Sequence, residues 1–502
     1  MTKRIRPTMS MLLLVWPTLV LQAQGLPAFP GAEGFGAIAT GGRGGAVLYV
    51  TTLDPDPAGV NPGSLNWALR QNGARTILFK VSGVIHGIAN VVHGNVTLAG
   101  QTSPGGIIVR GFICDGHYEQ NSCDNLIVRH LRSRPGWNLP LPPGGERLDD
   151  ALRLDGINRA IFDHVSLAHA TDEAVQISWA SDITVQDSTL GETIGDHADR
   201  GGVLINYSHP DHPQDRIALL RNLWFRVGGR VPEITCEGSN YDGQPGLIAS
   251  CQNTPLQLEL ANNLYADPGF LLWYNRDVDQ DSGAGPYRVR MNAVGNRFIT
   301  RPNFPYGMFL YDLIDVASNE LFISDNRMST YPSFADYELF YCCNDFGTNA
   351  PNSSLGNATR RSSRHPFPAI TYLPGNTATA TLPATAGAQP ADPLNRRWRD
   401  TSLSGTFPAV DYGTPLADDT FALDFDPMSS PPAPTDTDND GMPDAFELAY
   451  ADLGLNPNSQ DNNGSALSLP LTGVAGYTNL ECYLNWIADQ SANDPIFRNG
   501  FD

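Results

Sequence analysis

Apolar residues in this chain come in short runs, broken by Gly, Pro, Asn and Asp, which predicts many brief β-strands joined by turns. Helix-like periodicity is scarce over most of the length. Several runs share a further feature: "LIVRHLRS", "IFDHVSLA", "TVQDSTLG", "LLRNLWFR", "ELANNLYA", "AVGNRFIT" and "FISDNRMS" each end an apolar strand on a polar residue, then resume. The marked positions are His130, His164, Asp187, Asn222, Asn263, Asn296 and Asn326, with separations of 34, 23, 35, 41, 33 and 30 residues.

A parallel β-helix accounts for this repeat. Each coil gives short strands to parallel sheets and hydrogen-bonds to the coils above and below, while loops of varying length leave at other turns. Asn and Asp suit such turns because they tolerate the left-handed conformation and bond locally. A β-sandwich would not place a turn residue at coil-like spacing. The expected organisation is all-β: a β-helix over 24–345, then an irregular Ser/Thr/Ala/Pro-rich wrap over 346–425. A Pro-rich linker at 426–435, a small extension at 436–490 and a tail at 491–502 follow.

The extension opens with "DTDNDGMPDAFE". Asp436, Asp438, Asp440, Asp444 and Glu447 fill positions 1, 3, 5, 9 and 12 of an EF-hand-type loop, with Gly441 at the sharp turn. Alternating carboxylates of this kind surround a hard cation, so a structural Ca2+ is expected. "GYTNLECYLNWIAD" reads as an amphipathic helix packed beside it.

Composition refines the picture. With 41% hydrophobic and 17% charged residues the chain is globular, and a formal charge of −21 argues against nucleic acid as a partner. An anionic substrate stays open, because a bound cation or local arginines reverse the sign inside a cleft. Lys3, Arg4 and Arg6, the run "MLLLVWPTLVL" and "LQA" ending at Ala23 predict a bacterial-type signal peptide over 1–23. That run is too short for a membrane span. The expected destination is therefore secretion, the periplasm or the cell surface, as a monomer. Export permits disulfides. Of seven cysteines, Cys114 with Cys123 and Cys236 with Cys251 would each close a short loop, and the odd count leaves at least one unpaired.

Ionisable groups crowd the joint between two apolar runs in "FDHVSLAHATDEAVQI". Upstream, "GGERLDDALRL" carries Asp149 and Asp150; downstream, "FRVGGRVPEI" carries Arg226 and Arg230. Coils stacked at about 4.8 Å would bring Asp150, Asp172 and Gln176 to one face, with Arg230 two coils later. Acids beside an arginine suit a cation-bridged anionic substrate; they also suit a surface ion-pair ladder, and spacing alone does not choose. His164 and Asp163 read as turn residues, and Glu173 fits either solvent or the cleft.

The chain resembles the pectate lyases, a polysaccharide lyase family 1-like group of right-handed parallel β-helices. The resemblance rests on "AFPGAEGFGAIATGGRGG", "GSLNWALRQNGARTILFKVSGVI", "VTLAGQTSPGGIIV", "LIVRHLRSRPG", "DDALRL", "DHVSLAHATDEAVQI" and "RVPEI". These segments run in family order from Ala28 to Ile234 and the match fades past Asp345. The extension is similar to EF-hand and thrombospondin type 3-like calcium tails. The resemblance implies Ca2+-assisted β-elimination on α-1,4-polygalacturonate in pectin, leaving an unsaturated sugar end. It implies Asp150 and Asp172 as calcium ligands and Arg230 as the base. A guanidinium with pKa above about 12 acts so only where calcium, nearby cations or desolvation favour its neutral form, or where hydroxide does the work.

Two departures stand out. The third calcium carboxylate of many relatives falls on Gln176, which can ligate but carries no charge, implying a weaker site. A substrate-binding lysine falls near Arg200, and a second arginine falls on Thr235, leaving Arg200 and Arg226 to bind substrate. A β-helix glycoside hydrolase, with a pair drawn from Asp149, Asp150 and Asp172, is the nearest rival. A non-catalytic polyuronate-binding protein is the other.

Overall fold

The computed structural model describes residues 25–115, 123–136, 141–194, 201–209, 212–236, 251–276, 286–342, 356–408 and 431–493. The segment expected as a signal peptide lies outside them. Three long parallel sheets of eleven, nine and seven strands run along the molecule, each strand flanked by its counterparts from neighbouring coils. One coil displays the build. Asn158–Asp163 lies in the eleven-stranded sheet, Ser166–Ala168 in the nine-stranded sheet and Val175–Ser178 in the seven-stranded sheet. Ser181–Gln186 then pairs in parallel with Asn158–Asp163, one coil on. The fold is the right-handed parallel β-helix.

The turn between the eleven- and nine-stranded sheets corrects the register of the sequence repeat. Two consecutive residues turn the chain there. The first is left-handed: φ is 55° at His130, 52° at His164, 48° at Asp187, 54° at Arg221 and 54° at Asn262. The second faces inward. The Oδ1 atoms of Asn222, Asn263, Asn296 and Asn326 accept from the backbone N–H of Ser188, Asn222, Asn263 and Asn296 at 3.0–3.1 Å. His130, His164 and Asp187 thus belong to the first position and the four asparagines to the second. The 35-residue step is really a 34-residue coil from Asp187 to Arg221. Asparagine recurs at the second position because its amide also donates, as Asn222 Nδ2 does to the Val185 carbonyl at 2.9 Å.

Alternation sorts the side chains. In Ser181–Gln186, Ile183 and Val185 enter the core, while Thr184 points outward and accepts from Gly36 N–H at 2.9 Å. Each fully buried aliphatic or aromatic side chain contributes about 1.5–3 kcal/mol. The glycine-rich N-terminal motif lies on the outer face of the eleven-stranded sheet. A Cβ on Gly36 would meet the Ala160 carbonyl oxygen at 2.1 Å, so only glycine allows this approach.

Within the 346–425 segment, the described residues 356–408 are more regular than the composition suggests. Thr359–Arg360 adds a last strand to the eleven-stranded sheet, and Thr377–Thr385 and Pro393–Ser404 are helices. The second helix carries standard punctuation: Asp392 accepts from Asn395 N–H, Pro393 opens it and Gly405 ends it at φ 62°. Trp398 is fully buried and stacks on Phe225 at 5.4 Å, fixing the helix against the nine-stranded sheet. Fully buried Arg132 and Arg134 both pair with Asp392.

In the extension, Met442, Phe446, Leu480, Tyr483 and Leu484 cover Leu78 and Ala99, on the outward side of strands whose Ile77, Phe79 and Leu98 line the core. The expected disulfides Cys114–Cys123 and Cys236–Cys251 are both formed, and Cys482 is free and buried. No helix among the described residues is long and apolar enough to cross a membrane.

Candidate active site

The site assembles where loops enter the seven-stranded sheet. Leu152 pairs with Val175 and Val175 with Val203, so two residues earlier Asp150, Glu173 and Gly201 fall in one row across three coils. Backbone bonds hold the row: Ala151 N–H donates to the Glu173 carbonyl at 3.1 Å and Ala174 N–H to the Gly201 carbonyl at 3.0 Å. Gly201 bridges to Gly229, which brings Arg230 alongside. The Asp149 carbonyl accepts from Thr171 and Asp172 N–H at 2.8 and 3.2 Å, pinning the loop that carries Asp172.

Asp150, Asp172 and Glu173 each offer a carboxylate oxygen within 4.8 Å of the others. Asp150 is buried and accepts from Glu173 N–H at 3.0 Å. Burial first, and then the Asp172 carboxylate, push its pKa well above the ordinary range. The Arg230 guanidinium meets the Glu173 carboxylate directly, lies 3.9 Å from Asp172 and donates through Nε to Glu233 at 3.0 Å. Arg230 is left-handed, with φ 51°.

Asp150, Asp172 and Arg230 therefore come together as sequence reasoning expected. The third member of the carboxylate trio is Glu173, only 1% exposed. Gln176, expected as third ligand, sits three rows further along, paired with Arg153 and Leu204, and donates to Ser178 Oγ at 3.1 Å. Arg226, expected to face substrate, instead joins a separate cluster: it lies 3.3 Å from Asp267 and 3.9 Å from Glu192, and donates to the Pro408 carbonyl at 2.7 Å. Burial alone would raise Glu192, but Arg397 and His169 hold it well below the usual carboxylate range. Arg200 lies outside the described residues. Glu233 joins the site as a further partner of Arg230, and its place three residues after the arginine is its signal in the sequence.

His164 serves the turn. Its Nδ1 lies 3.0 Å from Asp163, and its ring stacks on His130 at 5.1 Å. Burial would raise Asp163, yet His164 and Arg129 hold it far below the ordinary range; Asp163 in turn outweighs burial and raises His164.

A second carboxylate cluster lies in the extension. Asp436, Asp438 and Asp440 converge, as do Asp440, Glu447 and Asp461. Asp444 does not join them: its two oxygens accept from Thr437 N and Oγ1 at 2.8 and 2.7 Å, closing the turn. Asp461, from the Asn-rich loop that follows the short helix Asp444–Ala449, takes part instead. Glu447 is fully buried with both carboxylate oxygens lacking a hydrogen-bond donor, as do Asp436 Oδ1, Asp438 Oδ2 and Asp461 Oδ1. Burial, then Asp440 and Asp438, push Glu447 up to about 8 and burial pushes Asp440 up to about 6. An oxygen-ligating divalent cation fits these unmatched oxygens.

No family model matches the chain. Among curated proteins it is 30% identical over 471 residues to "Probable pectate lyase C" of Aspergillus flavus, covering 93% of this chain and 95% of that one. The protein of the same description from Aspergillus fumigatus is 30% identical over 469 residues, 92% of this chain and 93% of its own. With so much of the chain aligned, the extension cannot lie wholly outside the match, so the likeness reaches beyond Asp345, where the motifs fade. Among solved structures, a pectate lyase from Bacillus sp. N165 in complex with trigalacturonate aligns with a TM-score of 0.39 and 15% identity. That alignment covers 71% of this chain and 99% of the other.

Proposed function

The chain belongs to the pectate lyase family and is a polysaccharide lyase; on that premise we propose that it cleaves α-1,4-polygalacturonate by calcium-assisted β-elimination outside the cell. The observation that carries this reading is the carboxylate trio Asp150, Asp172 and Glu173, met by Arg230 through Asp172 and Glu173 at the edge of the seven-stranded sheet.

Asp150 and Asp172 hold Ca2+ in this reading. Bound there, the cation would supply positive charge against the substrate carboxylate and so make the C5 proton more acidic. Arg230 removes that proton, the C4–O bond breaks, a C4=C5 double bond forms and the departing oxygen takes up a proton. Arg153, 2.8 Å from Asp155 and 3.9 Å from Asp150, tempers the negative charge beside the cation site. Asp436, Asp438, Asp440, Glu447 and Asp461 hold a second, structural Ca2+ that stiffens the extension against the first coils.

Ultraviolet absorbance of polygalacturonate incubated with the purified protein tests the reading. A calcium-dependent rise, abolished by chelator, is expected from the conjugated product. New reducing ends without that rise would replace it with hydrolysis by the carboxylates. Retention of polygalacturonate with no product at all would make the protein a binder.

A further inference from the structure

We propose that Glu173 supplies the third carboxylate to the cleft cation and that Arg230 competes with the cation for it. The proposal rests on the reading above in naming that cation as calcium.

Three observations lead here. Oxygens bound to one Ca2+ at 2.3–2.6 Å can lie up to about 5 Å apart, and those of Asp150, Asp172 and Glu173 lie within 4.8 Å of one another. Gln176 has its amide nitrogen on Ser178 and brings no charge, whereas Glu173 is an acid buried in the row. Arg230 reaches Glu173 across Gly201, where a Cβ would meet Glu173 Cγ at 3.0 Å and Arg230 Cδ at 3.3 Å. A glycine at this point keeps open the path between the base and the acid.

The consequence is an exchange of partners. Without cation, Glu173 is neutralised by the guanidinium. With cation, Glu173 turns its charge to the metal, and Glu233, 3.0 Å from Arg230 Nε, keeps the arginine in place. Cation loading thereby frees the outer guanidinium nitrogens for the substrate. The same pairing weakens cation affinity, since the arginine must first give up the carboxylate and its own charge opposes the metal's.

Calcium titration calorimetry of the full chain reads this directly, with the extension event as an internal reference. Arg230→Gln is expected to tighten the cleft event about tenfold and leave the extension event unchanged. Glu173→Gln is expected to weaken the cleft event at least tenfold, and Arg230→Gln added to it should tighten binding clearly less than it does alone, since only the direct charge opposition is then relieved. Glu173→Asp, which keeps the charge on a shorter arm, should fall between, and circular dichroism checks that each variant is folded. Unchanged or weaker binding in Arg230→Gln, or unchanged binding in Glu173→Gln, would overturn the proposal. Because the readout is binding, tightening in Arg230→Gln would stand even if no unsaturated product formed, and a working lyase would not rescue a failed titration.

Discussion

The two carboxylate clusters of this molecule differ in how they are built and balanced. In the extension, Asp436, Asp438, Asp440 and Glu447 come from one twelve-residue stretch, and among the described residues no arginine or lysine pairs with them. In the cleft, Asp150, Asp172 and Glu173 come from two coils, and Arg230 from a third meets them. A cluster without a counter-charge depends on its ion for stability. One with a built-in cation can stand alone and exchange that partner during work. On the proposed reading, the difference separates a site that holds structure from one that does chemistry.

Arg230→Ala should break the comparison most sharply. Turnover measured by ultraviolet absorbance is expected to fall about 10²–10⁴-fold, the usual worth of a positioned base, while calcium binding in the extension persists. Equal activity in the variant would remove Arg230 from the proton transfer.

Glu447→Gln tests the other side. Saturating a site at a hundred times its Kd stabilises by about 2.7 kcal/mol, and the variant should lose most of the calcium-induced rise in melting temperature. Its calorimetric titration should show one event rather than two. A full calcium-induced rise in the variant would dismiss Glu447 as a ligand.

Asp163 sharpens the contrast with a cluster that needs no ion. Its pKa is depressed, so its contribution is present above the unfolded value of about 3.8 and is lost as pH falls through the folded value. His164 is raised, so its share is complete below its unfolded value of about 6.5 and fades as pH rises through the folded one. Asp163→Asn should therefore cost most between pH 4 and 6.5, about 3–5 kcal/mol for a broken buried pair, and less at higher pH. Urea denaturation at pH 5.5 and 8.5 measures the gap; equal losses at both would mean that His164 does not titrate there.

Much was legible along the chain because it depends on near neighbours. The alternating runs, the recurring turn and the short disulfide loops all obey local rules, as does the 436–447 loop. The helix Pro393–Ser404 was legible too, through Asp392, Pro393 and Gly405, but the surrounding Ser, Thr and Ala masked it. Two adjacent turn positions merged into one repeat because His130 and Asn222 are both polar residues at a strand end, and only backbone conformation tells them apart.

By itself, then, the sequence determined the β-helix and the family, picked out the Cys114–Cys123 and Cys236–Cys251 pairs, and named Asp150, Asp172 and Arg230 as candidates that the fold brings together. Tertiary structure alone decided the partners. Whether Glu173 or Gln176 completes the trio depends on which row of a stacked sheet each side chain occupies, and Arg226 turned to Glu192 and Asp267 for the same reason. Asp461 replaced Asp444 because a loop 21 residues beyond Asp440 folds back onto it. Coil insertions of different length place distant residues side by side, and that register is written in hydrogen bonds between coils rather than in the order of residues along the chain.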